Sequence, residues 1–287
     1  MMSAGLSSAA KLVGHEVSPV NYPSKQVEVD VSLASTEVKL TDAKVKSGCR
    51  AALLKIIKPC EKEKNMWNVR KIYADAVEKN IVANDIYVAT ALITTYAKCG
   101  KIKKAQEVFD QIRTPSVVSW NSLISGYAQN GFSDKALECF KKMQITKVDP
   151  SLVTYVCVLK ACGALRSLET GKAIDAKVRK QGLLKKSAVL GTALVDMYSK
   201  CGEMEKAREV FEMLPMHDVV SWSALIGGYS RNGFGDEALK CFRRMQTARV
   251  HANAITYVAL LKACGSVKSL EIGELIDVEV RKTGIFQ

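Results

Sequence analysis

Metal-ligand spacing is absent from this sequence despite its nine cysteines. There is no CxxC pair, which disfavours a structural zinc site. Histidine is scarce: the chain has three, at His15, His217 and His251, too few and too scattered for a catalytic constellation. No glycine-rich phosphate loop follows a strand-like run, and no HxE pattern is paired with PCxxC, so neither a nucleotide loop nor a zinc deaminase site is expected. Six prolines and 7% aromatic residues argue against an all-β sandwich. No stretch of about 18 or more uncharged apolar residues offers a membrane span. These absences leave no catalytic residue, metal, cofactor, small-molecule substrate or membrane partner to expect.

What is present is basic charge and repetition. The formal charge is +13 over 287 residues. Residues 1–49 carry five lysines and five acidic residues, so the whole excess sits in residues 50–287. An acidic partner such as nucleic acid fits that imbalance, and so does a merely solvated basic surface. Tyr-Ala-Lys-Cys-Gly at 96–100 returns as Tyr-Ser-Lys-Cys-Gly at 198–202, and Val-Val-Ser-Trp at 117–120 returns at 219–222. Leu-Lys-Ala-Cys-Gly at 159–163 returns at 261–265, so each step is 102 residues. Segments 117–151 and 219–253 share 19 identities in 35 ungapped positions.

The cycle divides into units of 31, 35 and 36 residues, at 86–116, 117–151 and 152–187, then 188–218, 219–253 and 254–287. The last is about two residues short of its counterpart, which predicts a truncated unit. A more divergent unit precedes them at 50–85, after an N-terminal extension at 1–49 that reads as flexible. Each unit reads as two short helices. Leu92, Ile93 and Tyr96 share one face of a helix that Cys99-Gly100 ends. Ala105, Val108, Phe109 and Ile112 form a helical stripe, repeated as Ala136, Cys139, Phe140 and Met143. Helices of about 10–13 residues are marginal alone and must stack into a solenoid with a continuous core.

The cycle also accounts for the cysteines. Cys60, Cys162 and Cys264 are copies of one position, as are Cys99 and Cys201, and Cys139 and Cys241; only Cys49 and Cys157 stand outside the pattern. Copies far apart along a solenoid act as small hydrophobes rather than metal ligands or disulfide partners. Trp120 and Trp222 are copies too; core packing is the simpler expectation for them, base stacking the other. Trp67 occurs once, in the divergent unit.

Residues 50–287 resemble the pentatricopeptide repeat family, in its plant subclass with alternating P, L and S motifs. S-type units carry Thr-Ala-Leu-Ile-Thr-Thr-Tyr-Ala-Lys-Cys-Gly at 90–100 and Thr-Ala-Leu-Val-Asp-Met-Tyr-Ser-Lys-Cys-Gly at 192–202. P-type units open Val-Val-Ser-Trp-Asn-Ser-Leu-Ile at 117–124 and Val-Val-Ser-Trp-Ser-Ala-Leu-Ile at 219–226. L-type units carry Val-Thr-Tyr-Val-Cys-Val-Leu-Lys-Ala-Cys at 153–162 and Ile-Thr-Tyr-Val-Ala-Leu-Leu-Lys-Ala-Cys at 255–264.

The resemblance implies an all-α fold, a right-handed α-solenoid of stacked helix-turn-helix repeats. It implies single-stranded RNA as partner, read at about one base per unit. The fifth and last residues of each unit would read the base: Thr90/Ser116, Asn121/Ser151, Thr192/Asp218 and Ser223/Asn253. By the family's tendencies, Thr192/Asp218 reads guanine, Ser223/Asn253 adenine and Asn121/Ser151 cytosine. Thr90/Ser116 has Ser where Asn or Asp is usual. Second-position side chains Tyr87, Val118, Val153, Val189, Val220 and Ile255 would sandwich the base. The L-type pairs Leu54/Asp85 and Val156/Ser187, with Val258, offer no hydrogen-bonding fifth residue and would act as spacers. The simpler alternative is that Thr90, Asn121 and their equivalents only cap helices.

The resemblance carries no C-terminal deaminase region, and the expectation is therefore an adaptor in organelle RNA processing or C-to-U editing that recruits other RNA-processing proteins in trans. The resemblance implies a mitochondrion or chloroplast. Residues 1–49 contain no Arg and five acidic residues, a poor composition for a transit peptide. A protein-binding scaffold that never touches RNA is the competing function.

Overall fold

The computed structural model describes residues 81–283 together with positions 73, 74, 76 and 78. The expectations for the 1–49 extension, for His15, Cys49, Leu54, Cys60 and Trp67, and for most of the 50–85 unit lie outside the described residues.

Among the described residues every regular element is helical. A short α1 (Ile81–Asn84) leads into α2 (Ile86–Lys98) and α3 (Ile102–Asp110). Then come α4 (Val117–Gln129), α5 (Ser133–Ile145), α6 (Leu152–Leu165) and α7 (Leu168–Lys180). A single 3-10 turn at Leu184–Lys186 precedes α8 (Ala188–Lys200), α9 (Met204–Glu212), α10 (Val219–Arg231), α11 (Gly235–Thr247), α12 (Ala254–Val267) and α13 (Leu270–Thr283). The first helices of the pairs, α2, α4, α6, α8, α10 and α12, pack on one another in chain order and form an inner row. Each second helix lies against its own first helix and the next one, and hardly touches another second helix. The fold is the expected all-helical stack of helix-turn-helix repeats.

Local chemistry sets the helix limits. Asp85, Ser116, Ser151, Ser187, Asp218 and Asn253 each precede a first helix in extended backbone, and their side chains accept hydrogen bonds from first-turn N–H groups. This satisfies donors that a helix start leaves unpaired. Gly100 and Gly202, at φ 72° and 87°, turn the chain out of α2 and α8 where a side chain would be strained.

The paired helices α2 to α13 run to 9–14 residues, too short to persist alone, so burial holds them. Leu92, Ile93 and Tyr96 are at most 1% exposed, and the stripes Ala105–Val108–Phe109–Ile112 and Ala136–Cys139–Phe140–Met143 are buried. Ile112 lies past the end of α3, so that stripe outruns its helix. Each fully buried Leu, Ile, Val or Phe contributes about 1.5–3 kcal/mol. Trp120 and Trp222 are core residues, packed on Phe109 and Phe211 with ring centroids 4.5 and 4.7 Å apart. Cys139, Cys162, Cys241 and Cys264 are buried and Cys99, Cys157 and Cys201 half-buried, all as free thiols. Burial pushes the Cys139 and Cys241 thiols up to about 11 and Cys162 to about 12. They therefore stay protonated and inert at neutral pH.

Consecutive first helices are stitched at their C-terminal ends. Asn130 Nδ2 donates to the carbonyls of Ala97 and Gly126 at 2.9 and 2.8 Å. Its copy, Asn232, donates to Ser199 and Gly228 at 2.8 and 2.9 Å. The approach is close: a Cβ on Gly126 would stand 2.7 Å from Ala97 Cβ, and one on Gly228 would stand 2.6 Å from Ser199 Cβ. Asn232→Ala, which removes both bonds at one joint, is expected to lower stability by about 1–3 kcal/mol. Urea unfolding followed by circular dichroism measures it, and an unchanged midpoint would refute the stitch.

Candidate nucleic-acid interface

The N-terminal ends of the first helices form the candidate surface. Tyr87, Val118, Val153, Val189, Val220 and Ile255 occupy the second turn-forming position of α2, α4, α6, α8, α10 and α12, and each is 56–70% exposed. Large apolar side chains at one repeated exposed position cannot be explained by the core. Thr90, Asn121, Thr192 and Ser223 stand three residues further along their helices. The first three are half-buried and Ser223 is buried. Ser116, Ser151 and Asn253 are half-buried, whereas Asp218 is exposed. Because first helices stack directly, the fifth residue of one faces the N-cap of the next.

Two pairs are joined and two are open. Asn121 Nδ2 donates to Ser151 Oγ at 2.9 Å, while Asn121 Oδ1 accepts from Thr154 Oγ1 at 2.5 Å. Thr154 also accepts from the Ser151 backbone N–H at 2.8 Å, completing a capping box. In the copy, Ser223 Oγ lies 2.7 Å from Thr256 Oγ1 and 3.5 Å from Asn253 Oδ1, and it donates to the Val219 carbonyl at 2.6 Å. Thr256 closes the same capping box with Asn253. At the other two junctions the third helical residue is serine. Ser119 and Ser221 donate to the Ser116 and Asp218 carbonyls, each at 2.9 Å. No side-chain bond links Thr90 to Ser116 or Thr192 to Asp218 among the described residues.

The structure corrects the capping alternative. Thr90, Asn121, Thr192 and Ser223 lie inside their helices and cap nothing. Their partners Ser116, Ser151, Asp218 and Asn253 do the capping, and so do Asp85 and Ser187. Polarity at the last position is therefore demanded by the helix start in every unit. Polarity at the fifth position is not, and there the units differ: Val156 is half-buried and Val258 exposed. Thr154 and Thr256 escaped the sequence reading. Their signal was the Ser-x-x-Thr and Asn-x-x-Thr spacing of a capping box.

Positive charge lies toward the C-terminal ends of the first helices. A shallow pocket of about 250 Å³ between the ends of α6, α8 and α10 is lined by Arg166, Lys200 and Arg231, of which Lys200 and Arg231 share the Asp196 carboxylate at 2.6 and 3.5 Å, leaving a net positive charge. Lys160 and Lys262 are exposed on α6 and α12. Among the described residues, no group of three His, Cys, Asp or Glu is placed to hold a metal ion, and no helix is long and apolar enough to cross a membrane.

Comparison with known proteins agrees with this architecture. The PPR repeat family model matches residues 115–164 and 217–266, and the PPR repeat model matches residues 87–114 and 192–219, together more than half of the chain. A chloroplastic pentatricopeptide repeat-containing protein of Arabidopsis thaliana is 37% identical over 227 residues, covering 79% of this chain and 36% of its own length. A mitochondrial one from the same plant is 36% identical over 252 residues, covering 87% of this chain and 36% of its own length. The chain thus spans about a third of the length of these relatives. The crystal structure of a pentatricopeptide repeat protein from maize superposes with a TM-score of 0.54 at 20% identity, covering 82% of this chain and 40% of that one.

Proposed function

The chain belongs to the pentatricopeptide repeat family, and on that premise we propose that it binds single-stranded RNA by sequence and acts in organelle RNA processing. The observation that carries the proposal is the repeated site at the heads of α2, α4, α8 and α10: an exposed apolar side chain beside a polar fifth residue and the next helix's cap. A base slotted between successive apolar side chains, such as Val118 and Val153, gains stacking and burial. Its edge then meets Asn121 and Ser151. Thr90/Ser116, Thr192/Asp218 and Ser223/Asn253 offer the same arrangement, with Tyr87, Val189, Val220 and Ile255 as the flanking walls. Val156 and Val258 offer no hydrogen bond and act as spacers, which matches the alternation of P, L and S units. The basic groups at the far helix ends neutralise phosphate.

The address read 5′ to 3′ from the 50–85 unit is any base, purine, cytosine, any base, guanine, adenine, any base. Gel shifts with that RNA should exceed those with a control carrying cytosine at the guanine and adenine positions. Equal binding to both would sink the proposal. Rising salt should weaken both through lost phosphate contacts. The chain works as an adaptor for processing or editing proteins acting in trans, in a chloroplast or mitochondrion as its relatives are described. Incubated alone with the RNA, it should leave cytidine unchanged.

Thr154 sets how sharply one base is read. Its hydroxyl fixes the Asn121 amide with Oδ1 inward and Nδ2 toward Ser151. Thr154→Val keeps the shape and frees the amide to rotate. Discrimination among the four bases opposite Asn121/Ser151 should fall about three- to tenfold, the worth of one hydrogen bond. Discrimination opposite Thr192/Asp218 should not change; a parallel fall at both positions would show a general loss of structure instead.

A further inference from the structure

The 102-residue repeat supplies an internal control for one unusual cavity. Tyr155 on α6 and Tyr257 on α12 are the same repeat position, buried to 1% and 2% exposure. Each packs edge-on against a phenylalanine of the preceding helix. Phe140–Tyr155 and Phe242–Tyr257 have centroid separations of 6.4 and 6.3 Å and the same 68° interplanar angle. The two ring pairs share one geometry, yet the tyrosine hydroxyls differ. The Tyr257 hydroxyl faces the Glu279 carboxylate, and burial, then that carboxylate, raises its pKa. Gln246 steadies that carboxylate at 3.4 Å. The Tyr155 hydroxyl is buried with no hydrogen-bond partner. The residue at the position of Glu279 is here Lys177, and the exchange turns the one acceptor into a cation.

Around Tyr155 lies a cavity of about 140 Å³, open to solvent, lined also by Lys141, Gln144, Thr170 and Lys177. Neither Lys141 nor Lys177 has an ion-pair partner among the described residues. The polar groups are a buried phenol, two ammonium groups, an amide and a hydroxyl, and nothing anionic faces them. Trp120 and Trp222 also have buried N–H groups without partners, but they do so in both copies, and the buried Ser230 hydroxyl has alanine, Ala128, at its counterpart; where both copies carry the same residue, the tyrosine site is the one that differs among the described residues.

We propose that the Tyr155 cavity binds a carboxylate from outside the chain, in the place that Glu279 fills from within the other copy. The phenol donates to one carboxylate oxygen, and Lys141 and Lys177 neutralise the charge. The cavity lies between α5, α6 and α7, away from the exposed apolar row, so occupancy does not compete with that row for RNA. The carboxylate can belong to a small acid or to an Asp or Glu side chain of a protein.

Tyrosine 13Cζ NMR with acetate as probe, at constant ionic strength against chloride, tests the site. The Tyr155 resonance, identified by its loss in Tyr155→Phe, should move saturably with acetate, while Tyr257 should not. Lys177→Glu should supply the carboxylate internally and abolish the response. Glu279→Lys should make Tyr257 acetate-responsive. An N-acetylated glutamyl peptide with an amidated C-terminus tests the protein-borne source, and inorganic phosphate tests selectivity. No saturable shift in the wild type, an unaltered shift in Lys177→Glu, or a response equalled by phosphate would each overturn the proposal.

Discussion

Replacing Asp218 by Asn should move the base preferred opposite Thr192 from guanine to adenine. A carboxylate only accepts hydrogen bonds, and the pairing edge of guanine presents N–H donors to it. An amide both donates and accepts, which suits the adenine edge with one amino group and one ring nitrogen. A well-made pair of this kind discriminates by about 1–3 kcal/mol, so the guanine-to-adenine binding ratio should swing by roughly 10- to 100-fold or more. The fold should tolerate the change. Asp218 caps α10 by accepting from the Ser221 N–H at 2.8 Å, and Asn253 caps α12 in the same way at 3.0 Å. Equilibrium binding to four RNAs differing only at that base decides it; an unmoved preference would remove Asp218 from base reading.

Loss of Asp175 should be the most damaging single polar change in the described solenoid. Asp175 is 6% exposed, and its carboxylate accepts from Arg179 Nε and the Tyr198 hydroxyl, each at 2.8 Å. Arg179 continues to Glu209 at 3.2 Å. Burial, then the Asp175 contact, raises the Tyr198 pKa. The cluster therefore ties α7 to α8 and α9 across one joint. Asp175→Ala would leave the Tyr198 hydroxyl buried without its acceptor and Arg179 half-compensated. Removing one member of a buried charged set costs about 3 kcal/mol. In a structure whose units touch only their neighbours, that weakens the coupling between the two halves. Urea unfolding should shift to lower midpoint and broaden, and hydrogen exchange should show the halves opening separately. Pairing the change with Tyr198→Phe should recover part of the loss, because the stranded hydroxyl goes with it.

These two sites also mark how far sequence carries. The helical stripes through Phe109 and Phe140, the buried tryptophans and the cysteine copies were legible because burial of an amphipathic face has a period. The exposed second position was legible only through family resemblance. Nothing in Val118 itself says that it faces solvent while Trp120, two residues on, is core. The last position carried a double meaning: Ser116 and Asp218 are polar because a helix starts after them, whatever else they contact. Asp175 left a different trace. Its copies are Tyr73 and Asp277, a break in the 102-residue register, and Tyr73 meets Tyr96 edge-on at 5.9 Å where Asp175 meets Tyr198 through a hydrogen bond. A departure from the repeat marked a joint built from other chemistry. What sequence could not supply was the partner, since the Asp175–Tyr198 contact crosses between helices.

The scarcity of contact among the second helices gives the molecule a mechanical asymmetry. The inner row is held by buried apolar packing and by the Asn130 and Asn232 hydrogen bonds, and resists stretching. The outer row is fastened by surface ion pairs such as Arg179–Glu209 at 3.2 Å and Arg244–Glu212 at 2.8 Å, each worth at most about 1 kcal/mol and screened by salt. Such a strip bends more readily than it elongates, because curvature changes only the spacing of its loosely clipped side. Low salt tightens the clips and high salt releases them. The pitch of the solenoid is thus an adjustable property of the surface ions, while the order of the heads along the inner rail stays fixed.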